Sequence, residues 1–174
     1  MTKIYAIGDS YVAGYGVRPG KSWVDRLEEK LQKPIVNLGV NGAWITERTE
    51  VAIPLEEDDI LIVLGGCNDL LGDGRAQDVE KAYKHFRNMA RGRKARVLIL
   101  LPPMPSITSD ELFVGMAMIE SLKNKLTELY AISEGLSLDR VIARDDARFI
   151  DGIHLDEKGH ELIANTVYEE ILKL

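Results

Sequence analysis

The chain carries one cysteine and three histidines in 174 residues, so neither a disulfide framework nor a cysteine-histidine metal cluster can organise it. A single thiol, Cys67, has no intramolecular partner and suits a reducing compartment. No apolar run reaches the roughly 18 residues that a membrane-spanning helix needs, so stable membrane insertion is not expected. Positive charge is in deficit as well. The 22 Lys and Arg against 28 Asp and Glu leave a formal net charge of -6, which argues against nucleic acid, because phosphate binding depends on cations that neutralise it. The basic run Arg91-Gly92-Arg93-Lys94 reads as a solvated turn. Repeats, low-complexity tracts and linkers are missing too, which points to a single domain over residues 1–174. Met1-Thr2-Lys3 leads straight into an apolar run without the features of a secretory signal. A cytoplasmic protein is therefore the expectation, although a secreted chain with its signal removed would look the same.

What is present is an ordinary globular composition, 45% hydrophobic and 29% charged, enough to bury roughly 70% of the unfolded surface in one core. Lys3-Ile4-Tyr5-Ala6-Ile7 predicts a first strand that delivers Gly8-Asp9-Ser10-Tyr11 into a glycine-rich turn ending at Gly16. Ser22 is placed to cap a helix that ends near Lys33-Pro34, and Ile35 to Leu38 predict a second strand. Ala43 to Ala52 suggest a short helix. The continuous runs Ile60 to Leu64 and Arg96 to Leu101 read as parallel strands covered on both faces. Between them, Val79, Tyr83, Phe86 and Ala90 mark one helix face. A long helix is expected from about Asp110 to Glu134 with Gly135 as its cap, then a weak strand over Leu136 to Ile142. An acidic loop, Ala143 to His154, precedes a terminal helix from Asp156 or Glu157 to Leu172. Alternating strands and helices predict an α/β fold with a parallel sheet. Four polar clusters, at Ser10, Asn41-Gly42, Asn68 and Asp151 to His154, then fall in loops gathered on one edge.

A strand-end serine needs a base, a group to orient that base, and donors for the oxyanion. Asp151-Gly152-Ile153-His154 offers the base and its orienter, since an acid three positions before a histidine can accept from Nδ1-H and leave Nε2 free. His85 sits inside a predicted helix, and His160 follows Gly159 near the start of the last helix, outside any tight turn of the Asp151 to His154 kind. Gly42, Asn68 and the Ser10 amide are the candidate oxyanion donors. Asp9 and Asp69 read as structural, bonding loop amides, and Cys67 as buried and inert. The glycine-rich turn lacks the lysine of a P-loop and the spacing of a dinucleotide site.

Gly8-Asp9-Ser10, Asn37 to Gly42, Gly66-Cys67-Asn68-Asp69 and Asp151 to His154 resemble, in type, order and spacing, the four blocks of the SGNH hydrolases, also called the GDSL esterase/lipase family. The resemblance implies a three-layer α/β/α sandwich of flavodoxin-like topology. It implies Ser10 as nucleophile, His154 as base, Asp151 as its orienter, and Ser10, Gly42 and Asn68 as the oxyanion hole. It also implies a small-molecule ester as substrate, with no cofactor or metal. Asn41 departs from the small or hydroxyl residue usual before the oxyanion glycine, and Gly39 competes with Gly42, which counting from Asn37 favours. The family acts on short-chain esters, lysophospholipids, thioesters and acetylated sugars. The absence of a long lid-forming insertion favours short acyl groups. Tyr11, Trp44, Met104 and Ile153 are the candidate substrate contacts, with Tyr11 and Trp44 equally suited to pack the core; Phe113, Met116 and Met118 are candidates for an acyl wall. A ligand-binding protein that has lost activity on the same fold is the reading from a different class.

Overall fold

The computed structural model describes residues 2–142 and 148–174. Five parallel strands form its sheet: β1 (Ile4–Gly8), β2 (Ile35–Gly39), β3 (Ile60–Leu64), β4 (Arg96–Leu101) and β5 (Leu136–Ser137), in the order β2-β1-β3-β4-β5. β1 and β3 are buried along their whole length, as their unbroken apolar sequences require, whereas edge strand β2 exposes Val36 and Asn37. The helices are α1 (Ser10–Ala13), α2 (Trp23–Leu31), α3 (Ile45–Arg48), α4 (Cys67–Leu71), α5 (Ala76–Gly92), α6 (Met116–Ile132), α7 (Leu138–Ile142) and α8 (Glu157–Ile171).

From β1 the chain first steps outward to β2, then returns across β1 to add β3, β4 and β5 on the other side. Because parallel crossovers are right-handed, reversing the direction of travel moves the connecting helices to the opposite face. α2 and α8 accordingly pack together on one face, and α5 and α6 on the other, giving the three-layer α/β/α sandwich. The register sets Gly8 opposite both Gly39 and Leu64, so β2, β1 and β3 end level and their following loops emerge together. Where strand order reverses, those loops part into a crevice, the usual ligand position in open α/β sheets.

Local chemistry sets the helix ends. Ser22 and Asp25 form a capping box on α2, and Asp156 accepts from Gly159 N at 2.7 Å to start α8. His160 is buried, and its Nδ1 accepts from Trp23 N at 3.1 Å, joining α8 to α2. It belongs to the core rather than the site. Burial, with Arg26 nearby, pushes its pKa down to about 4, so it is neutral at ordinary pH.

Three sequence expectations shift. The long helix starts at Met116, because 102–115 holds Pro102, Pro103 and Pro105 and bonds instead to the loop before α8. It ends at Ile132 with Ser133, rather than Gly135, at its C-terminus. The strand expected over Leu136 to Ile142 stops after Ser137 and turns into α7, whose Leu138 and Ile142 are buried. Residues 143–147 of the acidic loop lie outside the described residues. Among those described, no helix is long and apolar enough to cross a membrane.

Candidate active site

β1 ends at Gly8, and Asp9 caps the single helical turn that follows, accepting from Tyr11 N at 3.0 Å. Ser10 is therefore the first residue of a helix rather than part of a loop. Gly14, at φ 83°, ends α1 after one turn. Burial, reinforced by the negative charge of Asp69, pushes the Asp9 carboxyl up to about 7, against the pull of the Tyr11 and Gly66 amides, and among the described residues its Oδ2 has no partner of hydrogen-bond geometry.

Across the crevice, Asp151 organises its own turn. Its Oδ1 accepts from Ile153 N at 3.0 Å and His154 N at 2.7 Å, while Oδ2 lies 2.7 Å from His154 Nδ1. A carboxylate at Nδ1 holds the ring proton there and leaves the lone pair on Nε2. Nε2 lies 3.1 Å from Ser10 Oγ, although 144 positions separate the two residues. Ser10 and His154 are both buried, at 8% and 5% exposure. The Tyr11 hydroxyl donates to Ile153 O at 2.6 Å, tying the residue after the serine to the residue before the histidine.

The opposite side of Ser10 is built from short polar loops. Gly39 packs so closely on α1 that a Cβ there would lie 2.2 Å from Ala13 N, which gives it a structural reason to be glycine. Gly42, at φ 75°, faces open space, and its amide has no protein partner among the described residues. Asn68 is the second residue of α4, again helical rather than loop, and its Nδ2 donates to Ala43 O at 3.1 Å. A second amide hydrogen remains on that nitrogen. Asp69 accepts from Ile45 N at 2.8 Å, Thr46 N at 3.1 Å and Thr46 Oγ1 at 2.6 Å, which locks the loop after Gly42 onto α4. Cys67 is buried beneath this turn.

The candidate substrate contacts scatter. Tyr11 and Ile153, at 2% and 3% exposure, pack in the core, because each lies beneath the serine-histidine contact and is bound to the other. Met104 is half-buried against the same core. Trp44 lies on Gly72 and lines a groove of about 540 Å³ with Thr49, Asp73, Lys81 and His85. Besides the buried Tyr11 ring at 6.2 Å, two exposed aromatic rings pack on His154: Tyr15 at 4.3 Å and Phe113 at 4.9 Å between centroids. Phe113 was placed by sequence in an acyl wall, and Tyr15 was not singled out. The signal for Tyr15 was a large aromatic between Gly14 and Gly16 in an otherwise small-residue turn. No group of three or more metal-binding side chains converges among the described residues.

Similar folds are found among solved structures. A member of the lipolytic G-D-S-L family from Veillonella parvula superposes with a TM-score of 0.74 at 21% identity, each chain covered to 100%. The inhibitor-bound aryl esterase of M. smegmatis gives 0.74 at 16% identity, with 100% of both chains covered. A carbohydrate acetylesterase family member from Sinorhizobium meliloti gives 0.71 at 18%, covering 98% of this chain and 97% of that one. At these identities the likeness speaks to the fold. Among curated protein sequences none matches significantly. The family model for GDSL-like lipases and acylhydrolases matches residues 6–162, and with that span, the chain belongs to the GDSL-like lipase/acylhydrolase family.

Proposed function

We propose that the protein is a serine esterase that cleaves small carboxylic esters with short acyl groups through an acyl-enzyme. The observation that carries this reading is the relay from Asp151 Oδ2 to His154 Nδ1 at 2.7 Å and from His154 Nε2 to Ser10 Oγ at 3.1 Å. His154 takes the Ser10 proton as Oγ bonds to the ester carbonyl carbon. The carbonyl electron pair moves onto oxygen, where the amides of Ser10 and Gly42 and the free amide hydrogen of Asn68 stabilise it. Asp151 stabilises the imidazolium, which then protonates the departing alcohol as its bond to carbon breaks. Water, deprotonated by the same histidine, attacks the acyl-enzyme, releases the acid and restores the serine. The preference for short acids rests on the absence of a long lid-forming insertion in the sequence. A reducing, cytoplasmic setting agrees with the single buried Cys67.

The test is covalent labelling with a fluorophosphonate, mapped by mass spectrometry. Modification is expected at Ser10 and is expected to disappear in Ser10→Ala. Labelling elsewhere, or none, would overturn the assignment. A p-nitrophenyl ester series from acetate to palmitate reads acyl length, and fastest turnover on long chains would overturn the preference for short ones.

A further inference from the structure

The leaving alcohol of an ester has one required neighbour, the imidazole nitrogen that protonates it. With the oxyanion held by Gly42 and Asn68, the alcohol oxygen of the tetrahedral intermediate must approach His154 Nε2, and the rest of the alcohol extends past the histidine ring. Two aromatic side chains stand there, from elements far apart in sequence. Tyr15 and Phe113 meet His154 at 4.3 Å and 4.9 Å, and each other at 6.4 Å with their rings at 70°. His154 is almost entirely covered, yet Tyr15 and Phe113 are 43% and 52% exposed. Two large rings with so much free surface beside a reacting group have unspent contact area.

The surroundings extend that surface. Phe113 is held over the site by its own amide, which donates to Asp151 O at 2.8 Å, and Ser106 N donates to Gly152 O at 2.8 Å in the same 102–115 segment. Ile150 packs beside Gly16, and it, Met116 and Met118 are exposed apolar residues near the two rings in sequence or space. Aromatic rings prefer offset or edge-to-face partners, and thioethers add adaptable contacts. The Tyr15 hydroxyl is the single polar atom in the two rings themselves, a poor match for the many hydroxyls of a sugar.

We infer that Tyr15 and Phe113 form a leaving-group subsite beside His154 that selects esters of aromatic, benzyl-type alcohols over esters of polyhydroxylated alcohols. The inference rests on the esterase reading above and adds the alcohol half of the substrate to it. Both rings contribute to binding the alcohol in the ground state and in the transition state, so their loss is read mainly in KM.

The test compares three acetates with the same acid half: benzyl acetate, cyclohexylmethyl acetate and glycerol monoacetate. All three release alkyl alcohols rather than phenols, which removes most of the difference in leaving-group acidity. The wild-type protein is expected to show the highest kcat/KM on benzyl acetate and the lowest on glycerol monoacetate. Phe113→Ala and Tyr15→Ala should each lower the benzyl-to-glycerol ratio of kcat/KM by roughly 3- to 10-fold, through KM, the size of one lost aromatic contact. Phe113→Tyr, which keeps the ring, should retain the ratio. A wild-type preference for glycerol monoacetate, or ratios unmoved in both alanine variants, overturns the subsite while Ser10 labelling still supports the esterase. Failure to hydrolyse any of the three, with Ser10 unlabelled, overturns both.

Discussion

The two sides of the Ser10 hydroxyl are built on different principles. On one side stand Gly42 and Asn68, in loops tied together by four hydrogen bonds: Asn68 Nδ2 donates to Ala43 O, and Asp69 accepts from Ile45 N and from the amide and hydroxyl of Thr46. On the other, beyond the Asp151–His154 turn, stand two exposed aromatic rings, and Phe113 N to Asp151 O is the backbone bond that holds one of them in place. Donors must meet a developing charge with little reorganisation, so rigidity serves them. In the proposed subsite, a surface that receives an aromatic alcohol needs apolar area rather than fixed donors. On the proposed reading, the reaction and its selectivity rest on separate kinds of contact, and mutations should divide them.

The strongest way to break the comparison is to remove what both sides share. Ser10→Ala or His154→Ala should lower ester turnover by about five to six powers of ten, as when a triad member is lost elsewhere, without unfolding the chain. Circular dichroism checks the fold, and wild-type-like turnover in purified Ser10→Ala would refute the mechanism. A smaller effect should separate the sides. Asn68→Ala is expected to lower kcat by about 100- to 1000-fold for every ester, whatever its alcohol, because the oxyanion is common to all of them. Steady-state kinetics on the three acetates decide it: a loss that depended on the alcohol would place Asn68 among the selectivity contacts.

The same division explains what the sequence made legible. In the proposed mechanism Ser10, Gly42, Asn68, Asp151 and His154 stand in short blocks because each task needs a particular residue type at a fixed offset within its own turn. The level ends of β1, β2 and β3 gather the first three blocks, as the alternation of apolar runs with helical periodicity foretold, and the contact of His154 with Ser10 brings in the fourth. Tyr15 and Phe113 meet only because the proline-bearing segment after β4 folds back onto the loop before α8, and no local pattern encodes that contact. Tyr11 was ambiguous for a different reason. An aromatic beside a nucleophile can face substrate or core, and the hydrogen bond that decides it runs to a residue 142 positions away. The end of the long helix and the last strand were misplaced because the connection to α7 is decided by tertiary packing of Leu138 and Ile142.

Tyr11 gives an intermediate test of how tightly the histidine side must be held. Tyr11→Phe keeps the buried ring and removes the hydroxyl, with its bond to Ile153 O and its contact with the Cys67 thiol. That leaves a carbonyl unsatisfied, a cost of about 1 kcal/mol in stability, and loosens the tie between the serine turn and the histidine turn. Because it acts through Ser10 and His154, kcat should fall roughly 3- to 10-fold with KM nearly constant, since small misplacements of reacting groups slow the chemical step. The rate of fluorophosphonate labelling should fall in parallel. A change in KM alone would return Tyr11 to the substrate contacts.

The mildest prediction compares the two carboxylates that flank the reacting pair. Asp151 has both oxygens satisfied, whereas Asp9 is buried, its Oδ2 without a partner of hydrogen-bond geometry among the described residues, and is held up at about 7, from the 3.8 of an exposed carboxyl. Between those values the folded chain keeps a proton that the unfolded chain releases, so Asp9 lowers stability as pH rises. His160 acts with the opposite sign: held down at about 4 against 6.5, it leaves the folded chain without a proton that the unfolded chain binds, and stability rises with pH across that window. The two slopes oppose each other from about pH 4 to 6.5, so the wild-type profile alone conceals both. Asp9→Asn retains the acceptor for Tyr11 N and removes the carboxylate, and subtracting the two profiles isolates Asp9 from every other titrating group. Urea midpoints measured from pH 4 to 8 should show the variant gaining on the wild type as pH rises and levelling off above about 7. Parallel curves would mean that Asp9 is already ionised in the folded protein at low pH, with the Tyr11 and Gly66 amides outweighing its burial.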